Sequence, residues 1–185
     1  MKKLLMVAAI VAAGTAAYGN TTVPVAVSLE VTKTSNLVLM DGSTQLTQIN
    51  LRHNPILFST LEGTTSNSVA KQTFTAQTGD KTTPIGGSTA TKGATITYTL
   101  EGVGTSGALD LTNGATTLAS TLVLSNATEE VGANVNVGTA NTITSTILAS
   151  ALQGLANETT KIEGNYSGTA QLKVTAVAKT TPGSF

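Results

Sequence analysis

From Thr22 to Thr32 the chain alternates without a break. Val23, Val25, Val27, Leu29 and Val31 fall on one side, and Pro24, Ala26, Ser28 and Glu30 on the other. A strand places successive side chains on opposite faces, so this segment has one apolar face to bury. Thr169 to Lys179, near the other end, does the same: Ala170, Leu172, Val174 and Ala176 point inward, and Gln171, Lys173 and Thr175 outward. A chain bounded by two such strands needs a sheet with a covered face. Pro24 cannot donate a ladder hydrogen bond, which predicts an edge position at the start of the first strand.

The intervening sequence continues in short β-like stretches. Apolar residues run from Asn36 to Met40 and stop at the turn pair Asp41-Gly42. Leu46 to Leu51 alternates with one irregularity and is limited by Pro55. Ser68 to Gln77, Ala94 to Leu100, Thr117 to Asn126 and the short Ala133 to Val137 read as further strands. Thr78 to Gly93 reads as a Gly/Thr/Lys loop with little core material. Ile147, Leu148, Ala151, Leu152 and Leu155 share a helical face, which favours a short helix over Ser145 to Ala156, while Ile143 to Leu148 also reads as strand. Seven or eight short strands without a fixed-period repeat predict an all-β sandwich in one domain.

The start of the chain changes the charge arithmetic. Met1-Lys2-Lys3 is a basic lead, Leu4 to Ala13 is apolar, and Ala16-Ala17-Tyr18-Gly19 offers small residues for cleavage. The pattern is that of a secretory signal peptide, too short to span a bilayer. We place the cut after Ala17 or Gly19, with Gly19 preferred. Removing Lys2 and Lys3 turns a formal charge of zero into −2. The exported chain has no cysteine, so no disulfide staples it. About one residue in five is threonine, and β-branched side chains suit a pleated surface.

The same counts weigh against chemistry. Charge balance offers no basic surface for nucleic acid. The only histidine, His53, cannot build a multi-histidine metal site and reads as the surface end of a strand. Glu129-Glu130 reads as a solvated polar turn, and Asp41-Gly42 and Gly79-Asp80 as turns, not calcium loops. We therefore expect no catalytic residues, no metal, no cofactor and a structural or binding role.

An N-terminal strand with no hairpin after it need not pair within its own domain; it can be added to a neighbour's sheet. Gly164-Asn165-Tyr166-Ser167-Gly168 followed by the alternating last strand resembles the end of the colonization-factor fimbrial major subunits of enteric bacteria, the alternate chaperone–usher class. Val25 to Val31, then Leu37 to Leu39, Asp41-Gly42, and Leu46 to Leu51 closing at Asn54-Pro55 is similar to that family's opening. Leu118 to Asn126 matches more weakly. The resemblance implies an incomplete immunoglobulin-like sandwich, completed by a donor strand from a neighbouring subunit. It implies a signal peptide over 1–19, a donor extension over 20–33 and a pilin domain over 34–185.

The resemblance further implies that Val23, Val25, Val27, Leu29 and Val31 are the donated side chains. Leu172, Val174 and Ala176 would border the groove that receives them. Partners would be identical subunits, a periplasmic chaperone, an outer-membrane usher and a tip adhesin, and the location a fimbria (pilus) on the bacterial surface. Three features depart from the family: the proline is early, 128–163 is long, and the tail 180–185 runs past the usual end. The alternative is a self-contained secreted adhesin or carbohydrate-binding sandwich, which predicts a first strand paired internally. A surface-layer, amyloid-like or spore-coat protein is a third reading.

Overall fold

The computed structural model describes residues 22–33, 36–57, 63–87, 92–156 and 164–179. The predicted signal peptide and the tail 180–185 lie outside the described residues. Eleven strands and one helix follow in order: β1 (Thr22–Lys33), β2 (Leu37–Asp41), β3 (Thr44–Leu46), β4 (Gln48–Leu57), β5 (Ser68–Thr78), β6 (Ala94–Glu101), β7 (Ala108–Thr112), β8 (Thr117–Leu124), β9 (Thr128–Val131), β10 (Val137–Ile147), α1 (Ala149–Ala156) and β11 (Tyr166–Ala178). The all-β expectation holds. Main ladders run β3-β2-β5-β10-β8-β7-β11-β1-β4, with β6 also on β11 and β9 on β6. The sheet curls until β4, at one end, packs against β5 with no ladder between them among the described residues, so the body nearly closes.

Alternation sets what faces inward. Val27, Leu29, Ile49, Leu51, Phe74, Ile96, Leu111, Leu118, Leu122, Ile143, Leu172 and Val174 are buried together. Alternate positions are turned outward and filled largely by threonine. Thr97 stands beside Thr175 and Thr128, and Thr142 beside Thr73, where their hydroxyls meet at 3.0 Å. This explains the low charge: outer strand positions carry neutral β-formers.

Several sequence expectations are corrected. β1 is flanked on both sides, by β11 and β4, and is not an edge strand. The β1–β4 register shifts between Val23 and Val25, so that Val23 faces Ile56 and Val25 faces His53. Pro24 and Pro55 both fall in this irregularity, where a missing N–H breaks no regular ladder. That is why β4 runs through Pro55 instead of ending there. The break in the Leu46–Leu51 stretch falls at Thr47, between β3 and β4.

The helix begins at Ala149, not Ser145, because β10 continues to Ile147 with β5 and β8 on its two sides. It starts where Asn67 Oδ1 accepts the Ala149 N–H at 3.0 Å. Its Leu152 and Leu155 are buried. Residues 133–136 form turn structure, not a strand, and Glu129 and Glu130 belong to β9. The Gly/Thr/Lys loop contributes a fully buried Ile85, whose N–H donates to Val135 O at 2.8 Å.

Candidate functional site

The feature that organises the molecule is the slot filled by β1. The strand runs parallel to β11, with Val27 opposite Gly168, Leu29 opposite Ala170 and Val31 opposite Leu172. Its other edge is antiparallel to β4, with Val27 opposite Leu51 and Leu29 opposite Ile49. Val27 and Leu29 are wholly buried, and Val31 is partly so. Val23 and Val25 have ladder partners; their side chains lie outside the described residues. Full burial of an aliphatic side chain is worth ~1.5–3 kcal/mol, and each ladder bond adds ~0.5–1.5 kcal/mol. Among the described residues β1 is the only ladder partner of β4. Removing it would strip β4 of its pairing and open one edge of β11.

On the far wall, Leu172 and Val174 are buried, while Ala176 is only partly buried. Ala176 pairs with Ile96 of β6 and lies past Val174, the last described partner of β1. Leu172 and Val174 therefore lie along the β1 ladder, and the β1 positions that would continue the register toward Ala176 lie outside the described residues.

The five-residue turn leads into this wall. Gly164 has φ +128°, a region that favours glycine. Asn165 and Ser167 are exposed. Tyr166 is buried, and its hydroxyl lies 2.6 Å from Thr116 Oγ1. Gly168 is the tightest point. A Cβ there would stand 2.6 Å from Leu111 Cδ2 and 3.2 Å from Asp110 O of β7. The turn thus lets β11 pass close to β7 and present its other edge to β1.

His53 is buried, contrary to the surface position expected from sequence. Its Nδ1 lies 3.0 Å from Ser68 Oγ of β5, and its Nε2 lies 2.9 Å from Ser145 Oγ of β10. Burial pushes the imidazole below its ordinary value. These bonds cross the seam where β4 meets β5 without a ladder. Two serines so far apart in the chain, one on β5 and one on β10, gave no sequence sign of this bridge.

Glu129 is likewise engaged. Its Oε2 accepts the Tyr98 hydroxyl at 2.9 Å, and its Oε1 accepts the Thr139 N–H. Burial first, then the Glu129 charge, pushes the Tyr98 phenol up. Glu130 accepts from Thr95 and pairs with Lys179; these bonds hold its carboxyl below the usual range. Asp80 serves the loop, accepting both the Thr82 and Thr83 N–H groups and the Thr83 hydroxyl. An open cleft of about 520 Å³ lies between the end of β4 and the start of β5, bordered by Asn54, Pro55, Ser66, Asn67, Ser68 and Val69.

No protein-family model matches this chain, and a search of curated proteins gives no significant match. The nature of the site therefore rests on its own geometry: a slot closed by the first described strand.

Proposed function

We propose that the chain is a structural subunit of a bacterial surface fimbria that polymerises by strand donation. In this reading the body is an incomplete immunoglobulin-like sandwich over 34–185. The extension 20–33 of one subunit completes the next. A periplasmic chaperone holds the slot until an outer-membrane usher exchanges in the incoming strand, and a tip adhesin caps the fibre. Val23, Val25, Val27, Leu29 and Val31 are the donated side chains. The observation that carries the proposal is that β1, next to the predicted cleavage site, fills a slot whose outer wall, β4, has no other ladder partner among the described residues. Only residues 34–36 separate β1 from β2. Exchange of an identical element between copies rebuilds the same contacts at no cost in new chemistry.

The test uses the mature protein lacking residues 21–32. It should be unstable alone and be rescued by a peptide spanning 21–33. Val27→Asp in that peptide should abolish rescue, because it places an unpaired charge in an apolar slot. Polymers of normal length from the truncated protein would defeat the proposal.

Two observations favour a second reading, a self-contained adhesin or carbohydrate-binding module. β1 is paired internally in the single chain, and the cleft beside Asn54 and Asn67 is open and partly polar. Gel filtration separates the readings: a monomer that stays monomeric at high concentration favours the module.

A further inference from the structure

We propose that His53 is an acid-sensitive latch on the β1 slot. β4 forms the outer wall of that slot, and its hold on the rest of the body differs on its two sides. Towards β1 it has a ladder; towards β5 and β10 it has the imidazole bonded to Ser68 and Ser145. Among the described residues no ladder joins β4 to β5. His53 also stands opposite Val25, so the latch lies within the span of the donated strand.

The groups around the ring are hydroxyls. β10 and α1 carry no charged residue. On β4, β1 and β5 the charged residues are Arg52, Glu30, Lys33 and Lys71, and all four are exposed. Arg52, Glu30 and Lys71 occupy positions alternate to the buried ones, and Lys33 lies at the far end of β1 from His53. Among the described residues no carboxylate is placed to stabilise an imidazolium.

While neutral, the ring offers one N–H donor and one acceptor, and the two serines satisfy both. Protonation makes both nitrogens donors. One serine must then reverse its hydroxyl, and a positive charge is left beside the wholly buried Ser145 with no counter-charge among the described residues. The charged ring is relieved by moving outward with β4, which loosens the wall and frees β1. As a regulator of strand exchange, this device rests on the fimbrial proposal; as a property of the folded chain, it does not.

The experiment follows amide hydrogen exchange in the unpolymerised mature protein at about pH 7.5 and about pH 5, bracketing the ordinary imidazole range. After correction for intrinsic rates, opening of β1 and β4 should rise about tenfold in acid, while β6 and β9 stay unchanged. His53→Gln should remove that difference. Unchanged β1 protection in the natural protein, or the same acid response in His53→Gln, would overturn the latch. Should the variant fail to fold, the natural protein still decides by NMR. A titration of its only imidazole at or above the ordinary value, or one without coincident β1 opening, would also overturn it. Because nothing polymerises in this assay, its failure leaves the fimbrial proposal to the deletion test.

Discussion

Val27 of β1 faces Gly168 of β11 across a parallel ladder, at the point where β11 also passes closest to β7. One glycine therefore serves two neighbours. Its missing side chain admits Leu111 on one side and leaves the ladder to the first strand undistorted on the other. Gly168→Ala should destabilise the protein by about 1–3 kcal/mol, because the methyl group meets Leu111 and the Asp110 carbonyl. Urea denaturation should show a lower midpoint with an unchanged slope.

Leu29 and Glu30 are adjacent in sequence and opposite in consequence. Leu29 is wholly buried and Glu30 is exposed. Leu29→Ala should cost about 2–5 kcal/mol, whereas Glu30→Ala should stay within about 0.5 kcal/mol. Equal losses at the two positions would mean that β1 does not sit in its slot in solution.

Asn141 of β10 is buried against the bend between β8 and β9. Its Oδ1 accepts from Ser125 Oγ and from the Asn126 N–H, and its Nδ2 donates to Asn126 O at 2.8 Å. Asn141→Ala should cost about 1–3 kcal/mol by leaving the Asn126 backbone groups unpaired. Thermal unfolding measures it, and amide exchange should localise the loss to 125–131.

Asp80 is held at about 2, chiefly by the Thr83 hydroxyl, then by the Thr83 and Thr82 N–H groups. A depressed carboxylate adds stability above its ordinary value, and that contribution is lost as pH falls toward the folded value. NMR titration should therefore find Asp80 still ionised near pH 3, with the 80–83 loop loosening only below that. The carboxyl is fully exposed, so the effect should stay local.

Periodicity made the strands legible and pairing order illegible. Alternation at Val27 and Leu29, and at Leu172 and Val174, named buried positions correctly, because burial of one face is a local pattern. Leu109 and Leu111 of β7 alternate in the same way, but over only five residues, too short a span to stand out. Ile85 lacked any periodic neighbour and gave no signal. Pro24 suggested an edge because a missing N–H is usually tolerated there; a ladder irregularity shared with Pro55 tolerates it equally. His53 was misplaced because its serine partners come from β5 and β10, and side-chain bridges across a seam leave no trace in spacing.

The parallel pairing of β1 with β11 also imposes an order in time. The first described strand has a partner in the last described one. β1 can pair with β4 early in synthesis, but its second ladder, like those of β6 and β7 on β11, has to wait for β11. Throughout that interval the free edge of β1 is open to any extended segment of matching alternation, whether it comes from the same chain or from another.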